Sequence, residues 1–268
     1  MKLEGKRILL TGAAGGIGAM LAEALSARGA RVALVDRNAE ALEEIRERLA
    51  KTGGQALAIP ADLLDQSQLA TVVEKASQGL GGIDLLINLA GLLSFRPFAE
   101  EDPVLLERIV QLNLITPMLL ARQVLPHLLE AGSGRILNVG STFGSIGFAW
   151  FSAYSASKFG LRGFSEALRR ELDGTGVGVT YIAPRAVRTK LNTGAIYRMA
   201  EAVKMNMDEP DWVVEQIMVA IDRDAKDVFL GFPEKLFVRI NALLPRLVDL
   251  ALRGQNRVME TFAREVYR

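Results

Sequence analysis

A tyrosine and a lysine one helical turn apart are the residues of this sequence best suited to proton chemistry. Tyr154 and Lys158 stand at positions i and i+4 of a predicted helix, so they share one face. A phenol with a pKa of about 10 is a poor base at neutral pH, and lowering that pKa by three units takes roughly 4 kcal/mol. A neighbouring ammonium favours the phenolate and supplies part of this energy. The pair therefore predicts a tyrosine that acts as general acid or base.

Ser141 is a third candidate for the same site. It follows the fifth predicted strand, at the carboxyl edge where open α/β sheets bind ligands, and its hydroxyl can hydrogen-bond a substrate oxygen beside Tyr154. The same spacing is also typical of a purely structural helix, whose tyrosine packs inward and whose lysine reaches solvent. Spacing alone leaves both interpretations open.

A glycine-rich turn, TGAAGGIG at residues 11–18, follows the first predicted strand and opens the first predicted helix. Glycines let the chain turn tightly and bring backbone N–H groups close to a pyrophosphate at the positive end of the helix. A tight strand–helix turn without a ligand is the alternative. Asp36 ends the next predicted strand, where a carboxylate can hold the ribose hydroxyls of an adenosine. The two features together predict a dinucleotide-binding fold.

Asp36 also bears on which dinucleotide binds. A carboxylate about 4 Å from a 2′-phosphate costs roughly 4 kcal/mol at an effective dielectric near 20. No basic residue lies inside the glycine turn to offset this cost. Arg37 follows directly and either turns toward a phosphate or stays a solvated surface residue. The sequence therefore favours NAD(H), with NADP(H) as the alternative.

Composition excludes several other classes of protein. The 268 residues include 32 basic and 31 acidic side chains, for a formal net charge of +1. This balance gives no basic face for DNA or RNA, so we expect no nucleic-acid partner. The absence of cysteine and the single histidine, His127, exclude disulfides, iron–sulfur clusters and thiolate or multi-histidine metal sites. We predict no metal site.

The N-terminus shows no signal peptide, and no apolar run approaches the roughly 20 residues that a membrane-spanning helix needs. The sequence therefore predicts a cytoplasmic protein.

Short apolar segments alternate with helix-length amphipathic segments, and several of the apolar segments suit a strand buried on both faces. We predict strands at 7–10, 31–35, 56–59, 83–87, 135–139, 177–182 and 228–230. We predict helices at 16–28, 39–52, 66–79, 102–131, 153–173 and 210–222, and a helical tail at 233–268 interrupted by Pro245. This rhythm indicates one α/β domain with a doubly wound parallel sheet and helices on both faces. Within residues 1–268 we assign 1–189 to cofactor binding and catalysis, 190–227 to substrate binding and 233–268 to a C-terminal extension.

Taken together, the motifs resemble those of the short-chain dehydrogenase/reductase family over roughly residues 6–228. The family's Thr-Gly-x-x-x-Gly-x-Gly is matched at 11–18 and its Asn-x-Ala-Gly at 88–91. Its Tyr-x-x-x-Lys is matched at 154–158, with the family's serine thirteen residues before the tyrosine. Asn113 matches the active-site asparagine, and Asp62 matches the acidic residue expected against the adenine ring. The resemblance implies a Rossmann-type sheet of about seven strands in the order 3-2-1-4-5-6-7.

The resemblance also implies a reversible alcohol–carbonyl interconversion by hydride transfer. Tyr154 would exchange a proton with the substrate oxygen, while Lys158 would bind the nicotinamide ribose and lower the pKa of Tyr154. Ser141 would orient the carbonyl, and Asn113 would hold a water that relays protons. The implied catalytic residues are Asn113, Ser141, Tyr154 and Lys158. The implied cofactor-binding residues are Thr11, Gly12, Gly16, Ile17, Gly18, Asp36, Arg37, Asp62, Leu63, Asn88, Ala90, Gly91, Tyr154, Lys158, Pro184, Val187 and Thr189. By the same resemblance, the helix at 102–131 and the helix after Tyr154 would build a homodimer or homotetramer.

One position departs from the family pattern. After the sixth strand the family usually reads Pro-Gly-x-Val-x-Thr, whereas this chain reads PRAVRT at 184–189. Arg185 in place of glycine requires a backbone that avoids positive φ, or else a strain of about 1 kcal/mol or more. Its guanidinium points toward the substrate cavity, the cofactor or solvent, and the sequence does not decide among them.

Two segments bear on the substrate and on partners. Large apolar side chains near the predicted site favour an apolar alcohol or ketone, lipid-like or steroid-like, unless they only pack on one another; they are Phe143, Phe148, Trp150, Phe151, Leu191, Ile196, Tyr197 and Met199. Segment 234–252 mixes Lys235, Arg239 and Arg246 with leucines. It suits a membrane interface, a cover over the active site or an oligomer contact.

The leading hypothesis is an NAD(P)-dependent oxidoreductase acting on an apolar substrate. The alternatives are a dinucleotide-binding sensor without turnover and a membrane-peripheral scaffold. The four catalytic-type residues argue against the sensor, since a protein without turnover has no chemical need for all of them.

Overall fold

Seven parallel strands form the central sheet of the computed structural model, which describes residues 1–265. They are β1 (Arg7–Thr11), β2 (Arg31–Asp36), β3 (Gln55–Pro60), β4 (Leu85–Asn88), β5 (Gly134–Val139), β6 (Val177–Ala183) and, after two short strands, β9 (Asp227–Phe229). The order in the sheet is β3-β2-β1-β4-β5-β6-β9. The predicted order is confirmed. Its seventh strand is β9 because β7 (Ala186–Val187) and β8 (Met207–Asp208) pair with each other outside the main sheet.

Helices cover both faces of this sheet, as the apolar strands require. They are α1 (Gly16–Ala27), α2 (Ala39–Lys51), α3 (Gln66–Leu80), α4 (Pro103–Val110), α5 (Thr116–Glu130), α6 (Ser152–Glu171), α7 (Gly194–Ala202) and α8 (Pro210–Asp222). Alternate residues of β1 belong to different core layers. Ile8 and Leu10 pack with residues of α1 and α8, whereas Leu9 packs with residues of α3 and α5. The doubly wound architecture is therefore as predicted.

The predicted continuous helix at 102–131 is wrong at its centre. A π-helical turn, Gln111–Ile115, separates α4 from α5, and the Thr116 N–H donates to the carbonyl of Gln111, five residues earlier. Pro117 accounts for the interruption, because it has no N–H to offer the carbonyl of Asn113, its partner in a regular α-helix. π turns of this kind are frequent at functional sites.

The expectation that no segment has the length and composition of a membrane span is also wrong. Residues Pro103–Glu130 form a helical run long and apolar enough to pass that test. Core helices pass it too. Ile109, Leu120, Val124 and Leu128 of this run are buried, the last three in the core layer beneath α3.

The C-terminal extension is helical, with its break at Pro245, as predicted. It consists of α9 (Glu234–Leu243) and α10 (Pro245–Glu265), and residues 266–268 of the predicted tail lie outside the described residues. Met259 and Ala263 of α10 are buried in one apolar cluster with Ile196 and Met199 of α7. The end of α10 therefore packs on α7. The membrane, active-site-cover and oligomer-contact interpretations of 234–252 remain predictions.

Candidate functional site

The glycine turn between β1 and α1 forms one wall of a long cleft at the carboxyl edge of the sheet. Gly12 has φ +70°, and a Cβ built on it would lie 2.8 Å from the backbone nitrogen of Ala90. A Cβ on Gly18 would lie 2.1 Å from the carbonyl oxygen of Gly12. Both positions therefore exclude any side chain. The cleft is lined by Gly12, Gly16, Ile17, Gly18, Asp36, Arg37, Asp62, Leu63, Ala90, Gly91 and Thr189, among others.

The start of α1 suits a phosphate group in this cleft. Gly15 precedes the helix, and within residues 1–265 no side chain caps it. The first backbone N–H groups of a helix have no partner inside the helix, and the helix dipole makes this end positive. Since Gly16, Ile17 and Gly18 line the cleft, the residues present fit the pyrophosphate of a dinucleotide.

Asp36 is fixed at the far side of the glycine turn. Its carboxylate accepts hydrogen bonds from the backbone N–H groups of Ala14 and Asn38, each at 3.2 Å. Arg37 is exposed and lines the same cleft, as does Asp62, whose carboxylate accepts from the N–H of Leu64 at 3.0 Å. A backbone-held acid at this place fits ribose hydroxyls.

Two of the predicted cofactor residues lie behind the cleft. The Thr11 hydroxyl accepts from the N–H groups of Leu89 (3.1 Å) and Ala90 (3.3 Å), so it holds the opposite wall in place. Asn88 is buried, and its amide donates to Oδ1 of Asn138 in the neighbouring strand at 2.8 Å. Both residues thus shape the cleft through its backbone.

Ser141, Tyr154 and Lys158 converge on a second cavity that adjoins the cleft. This cavity also contacts Pro184, Val187 and Thr189, and it shares Ile17, Leu89, Gly91, Thr189 and Leu191 with the cleft. Lys158 Nζ lies 5.8 Å from the centre of the Tyr154 ring and donates to the carbonyl of Val139 at 3.0 Å. The structure therefore brings the three predicted residues together beside the predicted dinucleotide site.

Asn113 lies behind these residues, in the π turn. Its amide donates to the carbonyl of Leu92 (2.8 Å) and to Oγ of Ser157 (3.0 Å), and its Oδ1 accepts from the N–H of Leu92 (2.8 Å). The Ser157 hydroxyl in turn donates to the carbonyl of Tyr154 at 2.7 Å. Because both amide hydrogens are used, a water held by Asn113 would have to donate to Oδ1 or to the backbone carbonyl.

Burial controls the pKa values of both central groups. It raises the pKa of Tyr154 to about 12, although a hydrogen bond with Ser141 counters part of the rise. It lowers the pKa of Lys158 to about 8. Burial is the larger influence on the pKa of Tyr154, and the hydrogen bond with Ser141 acts in the opposite direction. The lowering of this pKa by Lys158 that the family resemblance implies remains a prediction.

Tyr181 is a positioning residue that the sequence analysis missed. It is fully buried, and its hydroxyl donates to the carbonyl of Ser141 at 3.1 Å. A Cβ on Gly140 or on Gly144 would lie within 2.5 Å of the Tyr181 side chain. A tyrosine in an otherwise aliphatic strand was the available signal, since a buried phenol needs a hydrogen-bond partner.

Arg185 points neither to the cleft nor freely into solvent. Its guanidinium binds the carboxylate of Asp208 at 2.7 Å and that of Glu234 at 3.0 Å. The non-glycine residues with positive φ within residues 1–265 are Trp150, Lys204 and Asp224, so the arginine avoids the left-handed conformation. Arg185 thereby ties β8 and the start of α9 to the edge of the second cavity.

Comparison with known proteins agrees with this geometry. The family model described as short chain dehydrogenase matches residues 6–198. A ketoacyl reductase from Nostoc sp. is 35% identical over 253 residues, which cover 92% of this chain and 88% of that protein. A fatty acyl-CoA reductase from Mycobacterium tuberculosis is 39% identical over 193 residues, which cover 70% of this chain and 65% of that protein.

Solved structures share the fold. A short chain dehydrogenase/reductase from Burkholderia phymatum, crystallised with NAD, superposes with a TM-score of 0.84 at 21% identity, covering 92% of this chain and 96% of that one. A metagenomic short-chain oxidoreductase in complex with NADP superposes with a TM-score of 0.73 at 29% identity, covering 86% and 98%. Neighbours of this fold thus bind either dinucleotide.

The buried lysine gives a stability test that does not depend on activity. The pKa of Lys158 is lowered from 10.5 to about 8, so between these values the unfolded chain binds more protons and stability rises with pH. Lys158→Met removes this contribution. Between about pH 8 and pH 10, we expect wild-type unfolding free energy to rise, relative to Lys158→Met, by on the order of 2 kcal/mol. Urea denaturation at a series of pH values measures the difference.

Lys190→Met is the matched control, since Lys190 is exposed. The difference in unfolding free energy between Lys190→Met and the wild type should stay constant over the same pH interval. A flat difference for Lys158→Met as well would contradict a desolvated lysine.

Proposed function

Because the chain belongs to the short-chain dehydrogenase/reductase family, we propose that it interconverts a secondary alcohol and a carbonyl, with Tyr154 as general acid and base. The observation that carries the proposal is the convergence of Ser141, Tyr154 and Lys158 on a cavity that adjoins the dinucleotide cleft. When bound there, a nicotinamide dinucleotide supplies or accepts the hydride.

The chain's own residues handle the proton. A Tyr154 hydroxyl with a pKa raised to about 12 holds its proton at neutral pH and donates it to a carbonyl oxygen. The Ser141 hydroxyl donates a hydrogen bond to the same oxygen and orients it. The Lys158 ammonium, buried beside the Tyr154 ring, favours the phenolate once the proton has left. In the reverse direction the phenolate accepts the alcohol proton.

The wall of the second cavity, which holds Ser141, Tyr154 and Lys158 and is called the catalytic cavity from here on, supports an apolar substrate. Of the residues that the sequence analysis assigned to substrate binding, Phe143, Phe151, Leu191, Ile196 and Met199 line this cavity. Trp150 is instead held by α10, to which its indole N–H donates at the carbonyl of Asn256 (3.1 Å). Two of the relatives, a ketoacyl reductase and a fatty acyl-CoA reductase, have names that agree with an apolar substrate, whereas a third is named D-threitol dehydrogenase.

NAD(H) is the coenzyme that we propose, with NADP(H) as the alternative. The support is the Asp36 carboxylate, which two backbone N–H groups hold beside the glycine turn. Arg37 lines the same cleft and is the residue through which NADP(H) would compete.

We further propose that the protein forms a homodimer or a homotetramer. We also propose that it is cytoplasmic and contacts membranes through 234–252. Exposed apolar residues on α4, α5 and α6 support the oligomer: Val104, Met118, Leu129 and Phe159. Analytical ultracentrifugation distinguishes dimer from tetramer.

Exposed apolar residues of the extension support the membrane contact: Leu236, Phe237, Leu243, Leu244, Leu247 and Leu250. Lys235, Arg239 and Arg246 accompany them and suit anionic lipid headgroups.

Tyr154→Phe tests the mechanism. The variant keeps the ring but removes the transferable proton, so we expect turnover of straight-chain ketones and alcohols to fall by about 100-fold or more. The affinity for NADH and NADPH, measured by fluorescence titration, should change by less than about threefold. Substantial residual turnover would overturn the assigned role of Tyr154. A wild-type protein that binds dinucleotide but turns over no alcohol or ketone would support the sensor instead.

Asp36→Ala tests the coenzyme assignment. Removing the carboxylate takes away the repulsion of a 2′-phosphate, so the ratio of kcat/KM for NADPH to that for NADH should rise by about tenfold or more. Arg37→Ala is the companion variant. It should lower kcat/KM for NADPH and leave kcat/KM for NADH unchanged. A wild-type preference for NADPH that Asp36→Ala leaves unchanged would contradict the proposal.

Leu243→Ser/Leu244→Ser/Leu250→Ser tests the membrane contact. All three leucines are more than half exposed, so the triple variant should fold normally yet lose most co-sedimentation with anionic phosphatidylglycerol vesicles. Phe98→Ser is the control, since Phe98 is exposed and lies outside both 234–252 and the residues that support the oligomer, and this variant should sediment like the wild type. Substitution is a cleaner test than deletion of α9 and α10, because deletion would remove Met259 and Ala263 from the core. A wild-type protein that never sediments with the vesicles would refute the contact.

A further inference from the structure

A third cavity lies between the C-terminal extension and the catalytic cavity. Its volume is about 500 Å³, within the range of small-molecule sites. The walls come from α9, α10 and two loops, at 142–148 and 204–206. Its apolar lining includes Ile146, Phe148, Ile240, Val248 and Leu252, which belong to one apolar cluster.

The third cavity abuts the catalytic one. Phe143, Arg185, Ala186 and Met205 line both. The Phe143 ring stacks on Phe148 at 4.4 Å between ring centres and meets the Tyr154 ring edge-on at 6.1 Å. A single aromatic ring and a flexible methionine therefore form part of the wall between this cavity and the proposed proton donor.

Charge in the shared wall is already neutralised. The guanidinium of Arg185 is paired with Asp208 and Glu234, so it does not require an anionic ligand. What remains along the cavity is mostly hydrocarbon and aromatic surface, which favours an apolar occupant.

The cavity also reaches the apolar surface of the extension. Leu247 lines it and is itself 54% exposed, next to Leu243 and Leu244, which are 80% and 55% exposed. An occupant can therefore run from the catalytic cavity toward this surface.

We propose that the third cavity binds the straight hydrocarbon chain of a long-chain alcohol or ketone whose oxygen lies at Ser141 and Tyr154. This inference rests on the proposed function and makes α9 and α10 determinants of chain length. The chain would run past Phe143 and Met205, which line both cavities.

Ala251→Trp tests the proposal, because Ala251 lines the cavity and the larger side chain occupies its volume. The probes are 2-alkanones from pentan-2-one to dodecan-2-one, assayed with NADH and NADPH. For the wild type we expect kcat/KM to rise with chain length. In Ala251→Trp, kcat/KM for pentan-2-one should stay within about twofold of the wild-type value. For dodecan-2-one, kcat/KM should fall by about tenfold or more. Ile240→Trp, at another lining position, should have the same effect. It keeps the test valid if Ala251→Trp does not fold.

Ala242→Trp is the matched control, since Ala242 is exposed on α9 and does not line the cavity. It should keep the wild-type chain-length profile. A second readout is the displacement of a fluorescent fatty acid by dodecan-2-one, which should succeed with the wild type and fail with Ala251→Trp. Turnover that does not depend on chain length, or an equal loss for short and long ketones, would overturn the cavity assignment. Displacement from the wild type without turnover of any ketone or alcohol would support the cavity and refute the proposed function.

Discussion

The buried ammonium of Lys158 is the constraint on which the candidate site depends. A lysine this far from water needs a hydrogen-bond acceptor, and Nζ donates to the carbonyl of Val139, the last residue of β5, at 3.0 Å. This hydrogen bond links α6 to the end of β5, and the same Nζ lies 5.8 Å from the centre of the Tyr154 ring. Burial raises the pKa of Tyr154 and lowers that of Lys158, so it disfavours the charged form of both groups.

Much of the fold could be predicted because the governing patterns are local. Apolar strands, amphipathic helices and the 11–18 turn predict the doubly wound sheet, and the strand order followed from the family resemblance. The π turn at Gln111–Ile115 was missed, although Pro117 marks the place where an α-helical hydrogen bond is lost. The contacts of Arg185 could not be predicted, since Asp208 and Glu234 lie 23 and 49 residues away and only the folded chain brings them together.

The candidate site, too, could be predicted from the sequence only in part. Motif spacing identified Ser141, Tyr154 and Lys158, and the structure places them around one cavity. Spacing did not show in which direction burial shifts the pKa of Tyr154, because desolvation depends on which groups cover the ring. It also did not reveal that Asn88 and Asn138 face each other in register across β4 and β5. Such pairs are visible only once strand neighbours and their alignment are known.

The Arg185 ion pairs have a consequence for recombining this protein with its relatives. The arginine, Asp208 and Glu234 come from three separate stretches of chain, yet they form one cluster in which a single cation bridges two carboxylates. A chimera that imports a foreign segment without the arginine would leave these two carboxylates, of which Asp208 is buried, without a cation. Crossover points for such chimeras should therefore be chosen so that all three residues, or none of them, are exchanged.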